Sequence, residues 1–532
     1  MTSAMKNKYL TIGIILIAVL GVWYMLSNDS ILSIFRSTPV AQVSQTVILK
    51  SGDTFDLTAQ YVTKNIDGKS YKMLGYNGSI PGPTIQVEQG SEITVNLKNE
   101  TDMPQLLHSH GVRVDNAFDG SQTAQKEIQP GETFPYKLRF PDAGVYWYHP
   151  HVNEVYGQAL GLYGAFIVKP KDPNYFPKVN REIPLFIGDL PIVDGKINIQ
   201  KDDKTHLMMG HYGNIQLLNG EKDLNLTAQK GEVIRLYLIN SANVRPFNFA
   251  IKNKASNMNV MFKLVGGDSG AYERPTMVDG VILGPSERAI VDVYLPDSGS
   301  YDIQNKTPDI SYTLGTITVG GDAVLNSYKD EFKILAQSQA TITSIDPFRT
   351  YFNRAPDKRI ALTLDMSGGS SMQGMNHGGH MMPDGTMMGG SMMMNNTTAS
   401  PDGIEWDTNN MMEQMMSSTP VVWKIVDRDT GKSNMDIDWV FKKDQPVKIE
   451  IYNDPKSMHP MQHPIHFHGQ RFLVVSRNGV PQTNLVWKDT TLVKAGETVD
   501  IILDPSNLGT WMAHCHISEH LVSGMMFDFK VE

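Results

Sequence analysis

The chain has 532 residues, 41% of them hydrophobic, with 45 glycines and 29 prolines. That length holds about three domains with real cores, and the glycine and proline usage suits many short strands joined by turns. A formal net charge of −9 argues against a nucleic-acid partner.

Near the N-terminus, Lys6 and Lys8 precede an uncharged run of 18 residues, Tyr9 to Leu26. This is the short end of a membrane span, and the lysines place the N-terminus inside and the rest outside. No A-x-A site and no lipid-attachment cysteine follow. We therefore expect an uncleaved anchor, with a cleavable signal peptide as the alternative. Either way the bulk is exported: held at the cell surface by the anchor, or secreted or periplasmic if it is cleaved. The absence of disulfides does not oppose export, because a three-domain chain can rely on its cores.

Strand-like alternation with Gly/Pro turns begins after a polar spacer. One pattern occurs three times: Gly90 to Asn99, Gly231 to Asn240 and Asp444 to Asn453. Each has a turn residue, three alternating apolar positions and a closing Asn. A second pattern follows each copy. Pro130-Gly131-Glu132-Thr133 leads to Gly144 and His149, Gly284-Pro285-Ser286-Glu287 to Gly299 and Tyr301, and Ala495-Gly496-Glu497-Thr498 to Gly509 and His514. The reading is all-β: three copies of one Greek-key sandwich or barrel domain. Residues 1–44 are anchor or signal plus spacer, 45–172 the first domain, 173–340 the second and 341–532 the third.

His-x-His pairs follow the first and third copies only. The chain has four His-x-His pairs, where chance at this histidine content gives fewer than one: His108/His110, His149/His151, His466/His468 and His514/His516. In a strand, both members of such a pair face one way. The middle copy has Arg245 to Ala250 in the equivalent place, without histidine. A metal cluster between the first and third domains follows, with the middle domain as a spacer.

Residues 366–416 hold 14 of the 30 methionines, among Gly, Ser, Asn and Asp. The composition predicts a surface segment with no packed core. Its thioethers are soft ligands that select Cu(I), so it can be a linker, a copper-collecting segment, or both.

The last stretch, His514-Cys515-His516 with His520 and Met525, contains the only cysteine. Thiolate, imidazole and thioether are the mixed soft set of a blue-copper electron-transfer site, which needs one more histidine. Cys515 points away from its two flanking histidines, so two metal centres would sit back to back around it.

His108-Ser-His110-Gly111, His149-Pro-His151, His463-Pro-Ile-His466-Phe-His468-Gly469 and His514-Cys515-His516…His520…Met525 together resemble the four copper signatures of multicopper oxidases, from about residue 45 to the end. With the Met-rich segment, the chain looks more like the bacterial copper-tolerance cuprous oxidases than like fungal laccases. The resemblance implies three cupredoxin-like domains and four copper ions. The type 1 copper would take His463, Cys515, His520 and axial Met525. The type 2 copper would take His108 and His466. The type 3 pair would share His110, His149, His151, His468, His514 and His516. Asp119, nine residues after His110, matches the family's acid near the type 2 copper. The implied reaction takes electrons from Cu(I) or a small organic reductant and reduces dioxygen to water, in a chain expected to be a monomer. A laccase-like oxidase of phenols or amines, and a copper-binding protein without turnover, are the alternatives.

Two departures from the family pattern matter. Many bacterial relatives have an acid directly after the second type 1 histidine; here it is Leu521, with Glu519 one residue before His520. In cuprous-oxidase relatives an Asp and a Met lie four and two residues before the first type 1 histidine and help bind Cu(I). Here Met461 keeps the Met, but the Asp position is His459. Asp365 and Met366 are candidates for the remaining ligands.

Overall fold

The computed structural model describes residues 38–201, 206–366, 380–381, 387–388, 401–407 and 421–532. The run Tyr9 to Leu26 and most of the Met-rich span lie outside them. Among the described residues, no helix is long and apolar enough to cross a membrane.

Three two-sheet sandwiches follow one another. In the first, the sheet Lys69–Tyr76, Thr54–Ile66, Glu92–Asn99, Thr133–Arg139 faces the sheet Thr46–Ile48, Thr84–Glu88, Gly164–Lys169, Gly144–Pro150, Leu107–His110. In the third, Val421–Asp427, Lys358–Met366, Val447–Asn453, Thr498–Asp504, Arg471–Arg477, Val480–Pro481 faces Trp439–Phe441, Met526–Val531, Gly509–Cys515, His463–Phe467, Thr490–Val493. The middle sandwich is built around Glu232–Asn240 and Arg288–Leu295 in one sheet and Phe247–Asn253 and Gly299–Lys306 in the other. Each sandwich encloses its own apolar core.

The sequence repeat has a physical basis. Its turn residues Gly90, Gly231 and Asp444 all have positive φ, at 86°, 80° and 60°, a region that Gly and Asp enter at least cost. The closing residues Asn99, Asn240 and Asn453 are buried, and each side-chain amide donates to two carbonyls: Met103 and Ile128, Arg245 and Leu283, Met461 and Val493. The Glu of the second pattern folds back on its own turn, Oε2 of Glu132, Glu287 and Glu497 accepting from the N–H three residues earlier. Its carbonyl accepts from the N–H of the closing Asn. The two patterns are therefore the two halves of one knot. Losing a brace would leave buried carbonyls unpaired, at about 1–3 kcal/mol each.

One expectation is corrected. Residues 401–407, inside the Met-rich span, are packed. Ile404 is fully buried and clusters with Trp406 and Leu492. Arg245 of the middle sandwich donates to the Trp406 carbonyl at 2.8 Å, and the Glu405 N–H donates to Gln462 at 2.7 Å. Ile404 and Trp406 are large apolar side chains with surface worth burying, which their polar neighbours obscure in a composition average.

Candidate metal centres

The histidine pairs lie on neighbouring antiparallel strands. His108 stands opposite His149 in the first sandwich, and His466 opposite His514 in the third. Strand alternation then turns Cys515 into the core of the third sandwich, where Met525 is also fully buried. The flanking histidines turn the other way, toward the first sandwich.

Eight histidines meet at that seam. The nitrogens of His110, His149 and His516 form one trio, those of His151, His468 and His514 a second, and those of His108, His110 and His466 a third, each within 4.8 Å. The sequence pooled six of these residues; the fold divides them into two sets drawn from both sandwiches. On the far side of Cys515, its Sγ lies 3.5 Å from His463 Nδ1 and 3.6 Å from His520 Nδ1, and the two nitrogens are 3.2 Å apart. Ligand atoms roughly 2.0–2.3 Å from one ion in a trigonal or tetrahedral shell lie about 3.3–3.8 Å apart, so this tripod fits one ion.

The hydrogen bonds decide which ring nitrogen faces inward. His108 Nδ1 donates to the Asp119 carbonyl at 2.7 Å, His149 Nδ1 to the Pro150 carbonyl at 2.9 Å, His466 Nδ1 to the Asp489 carbonyl at 2.8 Å and His514 Nδ1 to the Cys515 carbonyl at 2.8 Å. His468 Nδ1 donates to Asp119 Oδ2 at 2.9 Å, and His110 Nε2 to Asp489 Oδ1 at 3.0 Å. A neutral imidazole with one N–H so committed presents a lone pair on the other nitrogen. His108 Nε2, His110 Nδ1, His149 Nε2 and His466 Nε2 are buried without a hydrogen-bond partner. His468 Nε2 and His514 Nε2 face each other at 3.0 Å, two lone pairs with no proton between them. Buried orphan acceptors are costly, and a bound cation satisfies them. Burial keeps the rings neutral, pushing His463 and His514 down to about 3 and the other histidines of the seam and the tripod also below their ordinary value. Burial raises the Cys515 thiol, which a metal would reverse by taking the thiolate. The donor set fits copper: soft S and imidazole on one side, imidazole alone on the other.

Asp119 is 1% exposed, and its carbonyl and carboxylate hold the rings of His108 and His468. His459 is buried with Nε2 3.4 Å from Glu405 Oε2, and Met461 lies in the third core. Asp365 is ion-paired with Lys424. The side chain of Met366 lies outside the described residues.

Several neighbours were missed from sequence. Trp423 stacks on His520 with ring centroids 4.1 Å apart, and its indole N–H donates to the Leu207 carbonyl of the middle sandwich at 2.8 Å. Glu519, already noted in the sequence beside His520, accepts from His211 Nδ1 at 2.8 Å. Glu154, on the short helix Glu154–Ala159, places Oε1 3.5 Å from His149 Nδ1 and 3.9 Å from His516 Nε2. Burial, with the Glu519 carboxylate adding, pushes its carboxyl up to about 8. Glu154, His151 and Leu521 line one cavity of about 300 Å³. The available signal was a charged residue three positions after His151.

Residues 58–173 and 392–532 each match a family model described as multicopper oxidase. The multicopper oxidase mco of Staphylococcus haemolyticus is 26% identical over 86% of this chain and 83% of its own length. The multicopper oxidase MmcO of Mycobacterium tuberculosis is 26% identical over 89% and 86%. The solved multicopper oxidase McoA of Aquifex aeolicus superposes with a TM-score of 0.68 at 22% identity, over 93% of this chain and all of that one, which identifies the three sandwiches as cupredoxin-like. With two matched copper domains, buried orphan nitrogens at their seam and a Cys-His-His tripod behind it, this chain belongs to the multicopper oxidase family of oxidoreductases.

Proposed function

We propose that this oxidase is a cuprous oxidase serving copper tolerance, acting as a monomer held outside the cell by Tyr9 to Leu26. Four Cu(I) ions each give one electron and leave as Cu(II); one dioxygen and four protons become two waters. Four resident coppers are proposed: type 1 on His463, Cys515, His520 and Met525; type 2 on His108 and His466; and a type 3 pair, one ion on His110, His149 and His516 and one on His151, His468 and His514. Bound there, copper would supply one-electron chemistry at the tripod and dioxygen reduction at the cluster.

The chain supplies the rest. Cys515 is joined by peptide bonds to histidines of both type 3 trios, so tripod and cluster are connected covalently. Trp423 and the Met208 carbonyl, 3.3 Å from His520 Nε2, cover the His520 ring against water. Asp119 fixes the N–H of His468 and is the proposed proton donor to the cluster.

The observation that carries the Cu(I) reading is where the Met-rich span is tied down. At its start, Lys358–Met366 pairs with Val421–Asp427, Leu364 lying opposite Trp423. Within it, Glu405 meets His459, four residues before His463, with Oε2 3.4 Å from Nε2, and the Glu405 N–H donates to Gln462, the residue before His463. Both anchors sit beside the tripod. Glu405 and His459 would meet the substrate ion first, with Met461, Asp365 and Met366 as further candidates.

The test is steady-state oxygen uptake by copper-loaded protein with Cu(I) against a panel of phenols and amines. We expect Cu(I) to give the highest kcat/KM. A phenol or amine ahead of Cu(I) would establish the laccase-like alternative, and no uptake with any donor would leave a binding protein.

A further inference from the structure

The middle sandwich holds no proposed copper ligand, yet one of its side chains reaches the cluster. Arg288, first residue of the strand Arg288–Leu295, has a fully buried side chain. Its Nη1 donates to Asp489 Oδ1 at 2.6 Å, and its Nη2 donates to Asp489 Oδ2. The same Asp489 Oδ1 accepts from His110 Nε2 at 3.0 Å and from Thr490 Oγ1 at 2.9 Å. The Asp489 carbonyl accepts from His466 Nδ1 at 2.8 Å. His110 and His466 stack with centroids 3.8 Å apart.

The guanidinium is itself held. Nε donates to the Val145 carbonyl of the first sandwich at 3.1 Å, and Nη1 also to the Ser286 carbonyl at 2.9 Å. Asp268, on the other side, takes the Arg288 N–H at 3.0 Å, and its carboxylate lies 3.2 Å from Lys488 Nζ. All three sandwiches thus meet at one bidentate ion pair. The fit explains the glycine that closes the first histidine pair. A Cβ on Gly111 would lie 2.1 Å from Asp489 Oδ2 and 2.8 Å from Arg288 Nη2.

We propose that Arg288 is a positioning residue for the cluster: through Asp489 it fixes the His110 N–H on Nε2 and holds His110 and His466 in one stacked orientation. The Nδ1 lone pair of His110 is then the one that faces the metal. Without Arg288 the Asp489 carboxylate loses both guanidinium donors and keeps only Thr490 Oγ1 and His110, so His110 Nε2, which also meets Thr490 Oγ1 at 2.9 Å, is held less firmly in one orientation and tautomer. Outer hydrogen-bond partners of metal-bound histidines typically change metal affinity 10–100-fold. The inference rests on the copper-ligand roles proposed for His110 and His466.

Three variants test it: Arg288→Met, Arg288→Lys, and the double variant Arg288→Gln with Asp489→Asn. The last replaces the ion pair by neutral amides of similar shape, so the seam stays filled without a lone buried charge. Copper per chain, resistance of each copper to a chelator, and the type 2 electron paramagnetic resonance signal are the readouts. We expect all three to keep the blue absorbance of the tripod. Arg288→Met and the double variant should lose cluster copper to chelator at about 10-fold lower concentration or less, with an altered type 2 signal, and Arg288→Lys should fall between them and wild type. Wild-type copper content, chelator resistance and line shape in the folded double variant would overturn the positioning role. A wild-type protein that binds one copper or none would instead overturn the ligand assignment on which it rests.

Discussion

Oδ2 of Asp119, in the first sandwich, accepts a hydrogen bond at 2.9 Å from Nδ1 of His468, in the third. The Asp119 carbonyl also takes the N–H of His108 at 2.7 Å. One residue thus touches two rings of the cluster and carries a carboxylate among them. Asp119→Asn keeps an acceptor for His468 but removes the acid. We expect anaerobic reduction of the tripod to be unchanged and its reoxidation by dioxygen to slow by about 10²-fold. Stopped-flow traces of the blue band give both rates. Equal reoxidation in variant and wild type would reduce Asp119 to a ring holder.

Leu521 and Glu154 share the cavity that also reaches His151. A carboxylate at 521 would therefore stand in the same space as Glu154. Leu521→Glu placed on Asp119→Asn should recover part of the lost reoxidation rate, because protons can then be supplied from that cavity. No recovery, with the chain still fully metallated, would show that the cavity does not serve the cluster.

Cys515→Ser should abolish the blue colour and all turnover. It removes the only thiolate and changes none of the eight seam histidines. Metal analysis should find up to three coppers per chain where wild type should hold four. A blue Ser variant would refute the tripod.

Stripped of copper, the protein should lose stability as pH falls below about 6.5. His463 and His514 are held down to about 3 by burial, against 6.5 when exposed. Over that interval the unfolded chain binds protons that the folded chain does not. Each histidine then removes about 2 kcal/mol by about pH 5. Glu154 acts in the opposite direction. Its carboxyl is raised from 4.5 to about 8, so its contribution, complete at low pH, is lost as pH rises through that range. Denaturant midpoints of chelated protein across pH should therefore form a peak, and Glu154→Gln should flatten its alkaline side. A pH-independent midpoint would contradict both.

The Met-rich span can be cut only up to residue 400, since Ile404 and Trp406 are packed. Removal of residues 368–400 should leave the third sandwich folded. It should lower the rate of Cu(I) oxidation at low copper and change it little at saturation, because thioethers raise local supply. Oxidation of a phenol should be unchanged or faster. An equal loss for both donors would point to damage at the tripod, and an unchanged Cu(I) curve to a plain linker.

What could be read in the sequence was what is local. His514, Cys515 and His516 alternate along one strand, so their two faces follow from spacing alone. The three closing Asn residues marked the repeat without any knowledge of their partners. The division of the histidines into trios was not legible, because His149 meets His516 only once two sandwiches dock. Arg288, Glu154 and Glu405 were invisible for the same reason: each is a single charged residue whose role depends on a partner from another strand or domain. The middle sandwich looked like a spacer because the lack of histidine at the positions equivalent to the ligand pairs is legible, while Leu207 over Trp423 and Arg288 on Asp489 are not.

The seam has a consequence for how the protein acquires and keeps its metal. Each histidine trio takes members from residues 108–151 and from residues 466–516, so neither end of the chain owns a complete part of the cluster. The free energy of holding an ion there is also the free energy of holding the first and third sandwiches together. Loading of the cluster should be all-or-none rather than stepwise, and loss of cluster metal should wait on parting of the sandwiches. The clamp closes on a chain already folded around three cores, so copper would set how long the seam stays shut more than whether the protein folds.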